Sequence, residues 1–226
     1  MPTETTLTKY GHACIRLEKS GRRLVIDPGS FTDVPAALEG AEHILVTHEH
    51  ADHLDSGPVL EYLAAQPSVT VHAPAAPAAR LAEAAVAAGL DAARIITAGP
   101  GEQFEAAGFA VRTVGGQHAV IHPQIPVVAN TGYILDDLVY HPGDSYIVPS
   151  GPAPDTVLVP LSAPWSKLSE MLDFITAVRA RQVIPVHDGL LNDRGLPMYR
   201  RHAGTFAERY GSALTVLEEG ESTWIG

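Results

Sequence analysis

Thr47-His48-Glu49-His50-Ala51-Asp52-His53 follows directly on the apolar triplet Ile44-Leu45-Val46. It sets three imidazoles and the Asp52 carboxylate within six positions, with Glu49 and Ala51 as spacers expected to face away. Neutral imidazole suits zinc and other late first-row cations, and carboxylate accommodates Zn, Mn or Fe. Packing such groups together without a metal costs several kcal/mol of lost hydration. The alternative is a solvated, partly charged turn.

Three other places put polar groups after apolar strands. Gly115-Gly116-Gln117-His118 follows a strand over 109–114. His141-Pro142-Gly143-Asp144-Ser145 follows one over 138–140, and Pro185-Val186-His187-Asp188-Gly189 ends one over 182–186. Glycine beside each permits tight turns and close backbone approach. Strand ends on a rigid sheet hold distant ligands in fixed relation. Taken singly, His118 or His187 also reads as an ordinary buried histidine; their shared context argues for one joint site.

Hydrophobic patterning predicts strands over 7–10, 13–17, 23–26, 44–46, 69–71 and 95–96 in the first half. Ser56 is expected to cap a helix carrying Pro58 in its first turn, with Leu60, Leu63 and Ala64 on its apolar face. An alanine-rich helix over 77–88 ends at Gly89. In the second half, strands are predicted over 109–114, 127–135, 138–140, 157–159, 182–186, 213–217 and 224–225. A helix over 168–180 stripes Leu168, Met171, Leu172, Ile175 and Val178 along one face, and a short helix holds Phe206-Ala207. Residues 149–154 read as an ordered loop. Strands alternating with helices in both halves predict two sheets with helices outside them.

At 226 residues the length fits one domain, 1–226, with a substantial core. No run of eighteen uncharged apolar residues occurs, so a membrane span is not expected. Residues Met1 to Glu4 lack the basic start of a leader peptide, which makes a cytoplasmic location the expectation. Cys14 is the sole cysteine, so an internal disulfide and a thiolate metal site are both excluded. Its apolar neighbours mark it as a small buried side chain. The formal charge of -11 and the lack of a Lys/Arg cluster argue against a nucleic-acid partner. Oligomeric state is left open.

Through His-x-His-x-Asp-His at His48, His50, Asp52 and His53, followed in order by His118, Gly143-Asp144 and His187, the chain resembles the metallo-beta-lactamase fold superfamily of metal-dependent hydrolases. Tyr10-Gly11-His12 and Ile26-Asp27-Pro28 resemble the branch that includes ascorbate-6-phosphate lactonase. The resemblance implies an αββα sandwich of the α+β class, with two divalent cations at the open edge between its sheets. It implies that His48, His50 and His118 hold the first cation, that Asp52, His53 and His187 hold the second, and that Asp144 bridges them. Five neutral imidazoles and two carboxylates around two such ions leave a net charge of about +2. Water bound there would be largely hydroxide near neutral pH, able to attack a carbonyl or phosphorus centre. Asp52 would orient that nucleophile or take its proton, so Asp52 and Asp144 are the catalytic candidates. Zinc is the first candidate metal, with Mn and Fe as alternatives.

Around this set, Asp27 is expected to accept the N–H of a liganding imidazole; a turn or capping role is its alternative. His12 is a candidate donor to substrate or ligand, or else an ordinary histidine at a strand junction. His122, His141 and Asp188 are further candidates for substrate contact or ligand support, and His72 for the pocket wall. Tyr133 and Trp165 read as packing residues, with Trp165 also placed to line an entrance. Arg194, Arg200 and Arg201 would form a phosphate clamp if their loop closes over the cleft. The expected function is hydrolysis of a small, anionic ester, lactone or phosphoester, with a phosphorylated sugar lactone as the specific case. The alternatives are a small-molecule phosphodiesterase and a non-enzymatic metal-binding sensor or complex-forming protein.

Overall fold

Apolar strands broken by short turns build two seven-stranded sheets in the computed structural model, which describes residues 4–226. Residues 1–3, on which part of the leader-peptide reading rests, lie outside the described residues. The first sheet begins as an antiparallel meander of Thr5–Gly11 (β1), Cys14–Lys19 (β2) and Arg22–Ile26 (β3). It then turns parallel through crossovers: Val34–Leu38 (α1) leads to His43–Leu45 (β4), Ser56–Ala65 (α2) to Thr70–Ala73 (β5), and Ala75–Ala87 (α3) to Ile95–Thr97 (β6).

The second sheet mirrors this grammar. Gln103–Ala106 (β7), Phe109–Gly115 (β8), Thr131–Leu135 (β9) and Val139–His141 (β10) pair antiparallel. Thr156–Pro160 (β11), Leu168–Val178 (α4), Gln182–Val186 (β12), Gly195–Arg209 (α5) and Ala213–Leu214 (β13) continue it in parallel. Ser222–Ile225 (β14) returns to the first sheet and pairs antiparallel with β1.

Alternation within single strands explains the four layers, because successive side chains point to opposite faces. Leu24 and Ile26 enter the core between the sheets while Val25 packs toward α1 and α2. On β11, Leu158 joins the inter-sheet core and Val157 and Val159 meet α4. Strands buried on both faces read as continuous apolar runs. The result is the αββα sandwich expected from the sequence.

Several element boundaries differ from expectation. The strand predicted over 127–135 begins only at Thr131. The helix expected as a short piece near Phe206 is α5, fifteen residues long. Its buried stripe is only Ala203 and Ala207, too slight for an apolar periodicity to register. The edge strand β7 and the five-residue α1, capped by Asp33 accepting from the Ala36 N–H at 3.2 Å, were not anticipated. At α2, Asp55 rather than Ser56 stands before the first turn, and Val59 with Leu63 forms the buried face while Ala64 is exposed. Helix α4 stops at Val178 because Arg179 adopts a left-handed backbone, φ 55°.

Within each sheet, β1, β3 and β4, and likewise β8, β10, β11 and β12, run in a common direction. Every candidate ligand follows the C-terminal end of one of these strands. Hydrogen bonds join the two sheets at that edge: Thr131 N–H donates to Thr47 O at 2.8 Å, Tyr133 Oη to Val46 O at 2.8 Å, and His187 N–H to His12 O at 2.9 Å. No helix among the described residues is long and apolar enough to cross a membrane.

Candidate metal centre

Asp27, directly after β3, organises the opening run. Its Oδ1 accepts the Thr47 N–H at 2.7 Å. Its Oδ2 accepts the Thr47 hydroxyl at 2.7 Å and His53 Nδ1–H at 2.7 Å. Because the Thr47 hydroxyl spends its proton on Asp27, Thr47 Oγ1 can only accept from His48 Nδ1–H, 3.0 Å away. One buried carboxylate thus sets the tautomers of two histidines and turns both Nε2 atoms toward Asp144.

Two further histidines are fixed by main-chain carbonyls. His118 Nδ1–H donates to Ala119 O at 2.5 Å, and His187 Nδ1–H to Ser162 O at 2.8 Å. Asp144 is held at its backbone, where its N–H donates to Asn130 Oδ1 at 2.9 Å while Asn130 Nδ2 donates to Pro142 O at 2.8 Å. Gly143 makes this possible: at φ 62°, a Cβ there would lie 2.2 Å from Asn130 Oδ1. Gly29 has a similar reason, since its Cβ would fall 1.9 Å from Asp52 O in the run itself.

The resulting geometry centres on Asp144. Its Oδ1 lies 3.1 Å from His53 Nε2 and 3.2 Å from His187 Nε2. Its Oδ2 lies 3.3 Å from His118 Nε2 and 3.9 Å from His48 Nε2. His50 Nδ1 sits 3.0 Å from His48 Nε2. Potential donor atoms fall into two groups, each within 4.8 Å: His48, His50, His118 and Asp144 in one, and His12, Asp52, His53 and His187 in the other.

Buried polar atoms almost always find partners. Here His53 Nε2, His118 Nε2, His187 Nε2 and Asp144 Oδ1 are buried with no hydrogen-bond partner. Four orphaned donors facing one another, all nitrogen or oxygen, fit divalent cations.

The local field agrees. Burial opposes charge on Asp144, yet the neighbouring His53, His118 and His187 hold its carboxyl well below the usual range. Burial likewise opposes a charged His53, but Asp144 and Asp27 raise it well above the ordinary value. Those two carboxylates create a negative well that a proton or a cation would neutralise. Burial pushes His48 down strongly and His50 down as well. Burial also works against Asp52, but the hydrogen bond from His12 and the charges of His53 and His187 outweigh it and hold Asp52 at about 2.

Three of these side chains sit on left-handed backbone: His12 at φ 43°, Asp27 at 53° and His187 at 54°. Such a conformation costs on the order of 1–3 kcal/mol per residue and clusters at functional sites. Each occupies the first or second residue past a strand, where the chain must reverse while aiming its side chain into the edge.

His12 differs from the ligands in its hydrogen bonds. Its Nδ1 accepts the Gly189 N–H at 3.1 Å, so the neutral ring carries its proton on Nε2 and donates to Asp52 Oδ2 at 3.2 Å. Trp165 does more than the packing expected of it. Its Nε1–H donates to Asp144 Oδ2 at 2.7 Å, fixing the central carboxylate, while the indole walls the cleft. Nothing in the local pattern Ala163-Pro164-Trp165 marks that contact, which spans 21 positions. Asn130 and Ser162 escaped notice for the same reason.

Other expectations are corrected. His141 is buried away from the cleft; its Nε2–H donates to Ala13 O at 2.9 Å and its Nδ1 accepts the Gly143 N–H at 3.1 Å. His122 is exposed on a loop and accepts the Gln124 N–H at 3.1 Å. Asp188 does not support His187: it pairs with the buried Lys9 Nζ at 2.5 Å and with Arg200 at 3.5 Å. His72 sits within β5, in register with Leu45 of β4, and its ring is bonded to His43 at 2.6 Å and stacked on Phe104 rather than lining the cleft. Arg200 is committed to Glu218 at 2.5 Å, and none of Arg194, Arg200 and Arg201 lines the cleft. Glu49 does turn outward, onto Arg80, but Ala51 lines the cleft. Tyr133 packs in the core, and Cys14 is fully buried with its thiol pushed up by burial.

A cleft of about 310 Å³ opens over both groups. A larger hollow of about 710 Å³ beside β7 and β8 shares none of these residues.

Residues 6–187 match the family model described as the beta-lactamase superfamily domain. Protein Rv0786c of Mycobacterium tuberculosis is 36% identical over 190 residues, covering 82% of this chain and 84% of its own. The UPF0173 metal-dependent hydrolase MJ1163 of Methanocaldococcus jannaschii is 31% identical over 195 residues, covering 80% and 83%. Among solved structures, Igni18, a metallo hydrolase from Ignicoccus hospitalis, superposes with a TM-score of 0.73 at 19% identity, covering 98% of both chains. At that identity the likeness is one of fold.

Proposed function

The chain belongs to the beta-lactamase superfamily domain family, and from that premise we propose that it is a dinuclear metal-dependent hydrolase of small esters and lactones. The observation that carries this reading is Asp144, whose Oδ1 faces His53 Nε2 and His187 Nε2 and whose Oδ2 faces His118 Nε2, all three nitrogens buried without partners. His48, His50 and His118 would hold one cation and Asp52, His53 and His187 the other, with Asp144 between them. The two cations would supply an acidified water and a Lewis acid for the electrophile's oxygen. With nitrogen and oxygen donors alone, zinc is the first candidate.

The remaining roles follow from the protein's own groups. His12 is a donor rather than a ligand, because its Nε2–H is already directed at Asp52. Asp52 is one-quarter exposed toward the cleft, and at about 2 its carboxyl stays ionised at neutral pH. That makes it a weak base and a good acceptor, suited to orienting water more than to storing its proton. Trp165 N–H occupies a lone pair of Asp144 and restricts how that carboxylate turns. A phosphorylated lactone, which the sequence resemblance implied, would call for a cationic side chain in the cleft, and the three arginines are elsewhere. Both sheets and β14 contribute to one inter-sheet core, which supports a single hydrolase unit.

Metal analysis coupled to a panel of lactones, carboxylic esters, thioesters and phosphodiesters tests this. The wild type should carry about two cations per chain and hydrolyse the first two classes. His48→Ala and Asp144→Ala should each lose metal and activity together, by more than about a hundredfold, beyond the effect of an outer partner. Normal metal content and turnover in both variants would sink the assignment. A fully metallated wild type that cleaves nothing would favour the metal-binding sensor.

A further inference from the structure

Beside the cleft over the two groups, with Trp165 and His118 as common walls, lies a second cavity of about 510 Å³. Those two residues line both spaces, so the second cavity adjoins the reactive centre across them. Its other walls include Val120, Tyr146 and Ile147. The cleft proper is walled by Phe31, Ile121, Pro164 and Leu190 beside the ligand candidates. Among the described residues, no Lys or Arg side chain lines either space.

Apart from the exposed Gln117, the polar side chains of the second cavity are already engaged. Tyr146 Oη donates to Pro160 O at 2.9 Å, Ser145 Oγ to Pro142 O at 3.1 Å, and Trp165 Nε1 to Asp144. Glu170, at its margin, accepts from Lys167 at 3.1 Å. A sugar hydroxyl or phosphate would find few free partners there, and an anion would meet an acidic side chain. An apolar chain loses nothing by entering and gains by leaving water. The mouth has the same character: Val120 is 50% exposed, Leu190 51% and Phe31 49%, an exposure that marks binding surfaces when such residues adjoin a cleft.

We propose that the substrate is an uncharged carboxylic ester or lactone bearing an apolar chain, seated in the cavity behind Trp165 while its carbonyl lies at Asp144. This rests on the hydrolase reading above. Water adds across the acyl C–O bond: the carbon gains the hydroxyl, the alcohol oxygen leaves with a proton, and the acid product ionises.

Acetyl, butyryl, hexanoyl and octanoyl esters of one neutral alcohol, assayed with the metallated protein, test the proposal. The same chains ending in carboxylate or phosphate serve as comparators. We expect kcat/KM to rise about threefold to fourfold per methylene until the cavity fills, and to fall more than about tenfold when the chain ends in a charge. Ile147→Trp, which fills the cavity, should abolish the rise. Val120→Asp, on an exposed loop position, should blunt it and serves if the first variant does not fold. A readout without cations uses Trp165 fluorescence in a Trp224→Phe background, where hexanamide should shift the emission and acetamide should not. Equal rates at all chain lengths, or a preference for charged chains, would overturn this inference and leave the hydrolase reading standing. No hydrolysis of any member by fully metallated protein would overturn the hydrolase reading and this inference with it.

Discussion

Asp27 carries more of the centre than its position outside the histidine run suggests. It accepts from His53 directly and from His48 through the Thr47 hydroxyl, so its loss would free two tautomers at once. Asp27→Asn should weaken cation binding by about 10- to 100-fold, measured by competition with a chelator, and less than His48→Ala does. An effect equal to that of His48→Ala would recast Asp27 as a ligand itself. The carboxylate was legible in the sequence because Asp27 ends a strand as the ligand candidates do. The Thr47 relay was not, since which proton the hydroxyl donates depends on where Asp27 Oδ2 comes to lie. His141 and Asp188 stay out of the cleft for the converse reason: both follow strands in the expected pattern, yet one turns inward to Ala13 and holds the Gly143 N–H beside Asp144, and the other is captured by Lys9.

At the scale of the element, strand ends decide what reaches the site and what does not. Strand β4 serves two histidine clusters, one after its C-terminal end and one on the sheet itself. The run after Leu45 supplies the metal candidates, while His43 at the start bonds to His72 and to Thr70 Oγ1 at 2.7 Å. Burial, and then His72 and Arg22, push His43 down to about 3. An unfolded histidine titrates near 6.5, so between these values the unfolded chain takes up a proton that the folded chain refuses. Stability from this group is therefore complete above about pH 6.5 and declines as pH falls toward 3. His43→Gln should flatten the fall in unfolding free energy, measured by urea titration across that window, by up to about 1.4 kcal/mol per pH unit. An unchanged slope would show that His43 does not titrate as its burial implies. Helix α5 makes the complementary point about legibility. Its fifteen residues present only two buried alanines to the sheet, so its existence depends on packing that periodicity does not report.

For the whole molecule, the two sheets are the two jaws of the site. The first supplies His12, Asp27 and the run from Thr47 to His53; the second supplies His118, Asp144 and His187. Cations held between them should therefore stabilise the entire fold by mass action. At free cation about 1,000 times above Kd, each site should add about 4 kcal/mol, a rise on the order of 10 °C in Tm for a chain of this size. Differential scanning calorimetry with added zinc and then excess chelator measures this, and an unmoved Tm would mean that the jaws close without the ions.

The sequence alone determined the layers and marked the candidate donors. Apolar runs spaced by turns set the sheets, and imidazoles and carboxylates after strand ends stand out against an acidic chain with one buried cysteine. These features are local, so they survive as patterns along the chain. Only the tertiary structure decided that Trp165 grips Asp144, that His12 donates rather than accepts at its inner nitrogen, and that the arginines after His187 stay outside the cleft. Each of those facts is a competition among partners distant in sequence. Such competitions are settled by which atoms the packed sheets bring within hydrogen-bond reach, not by the order in which residues appear.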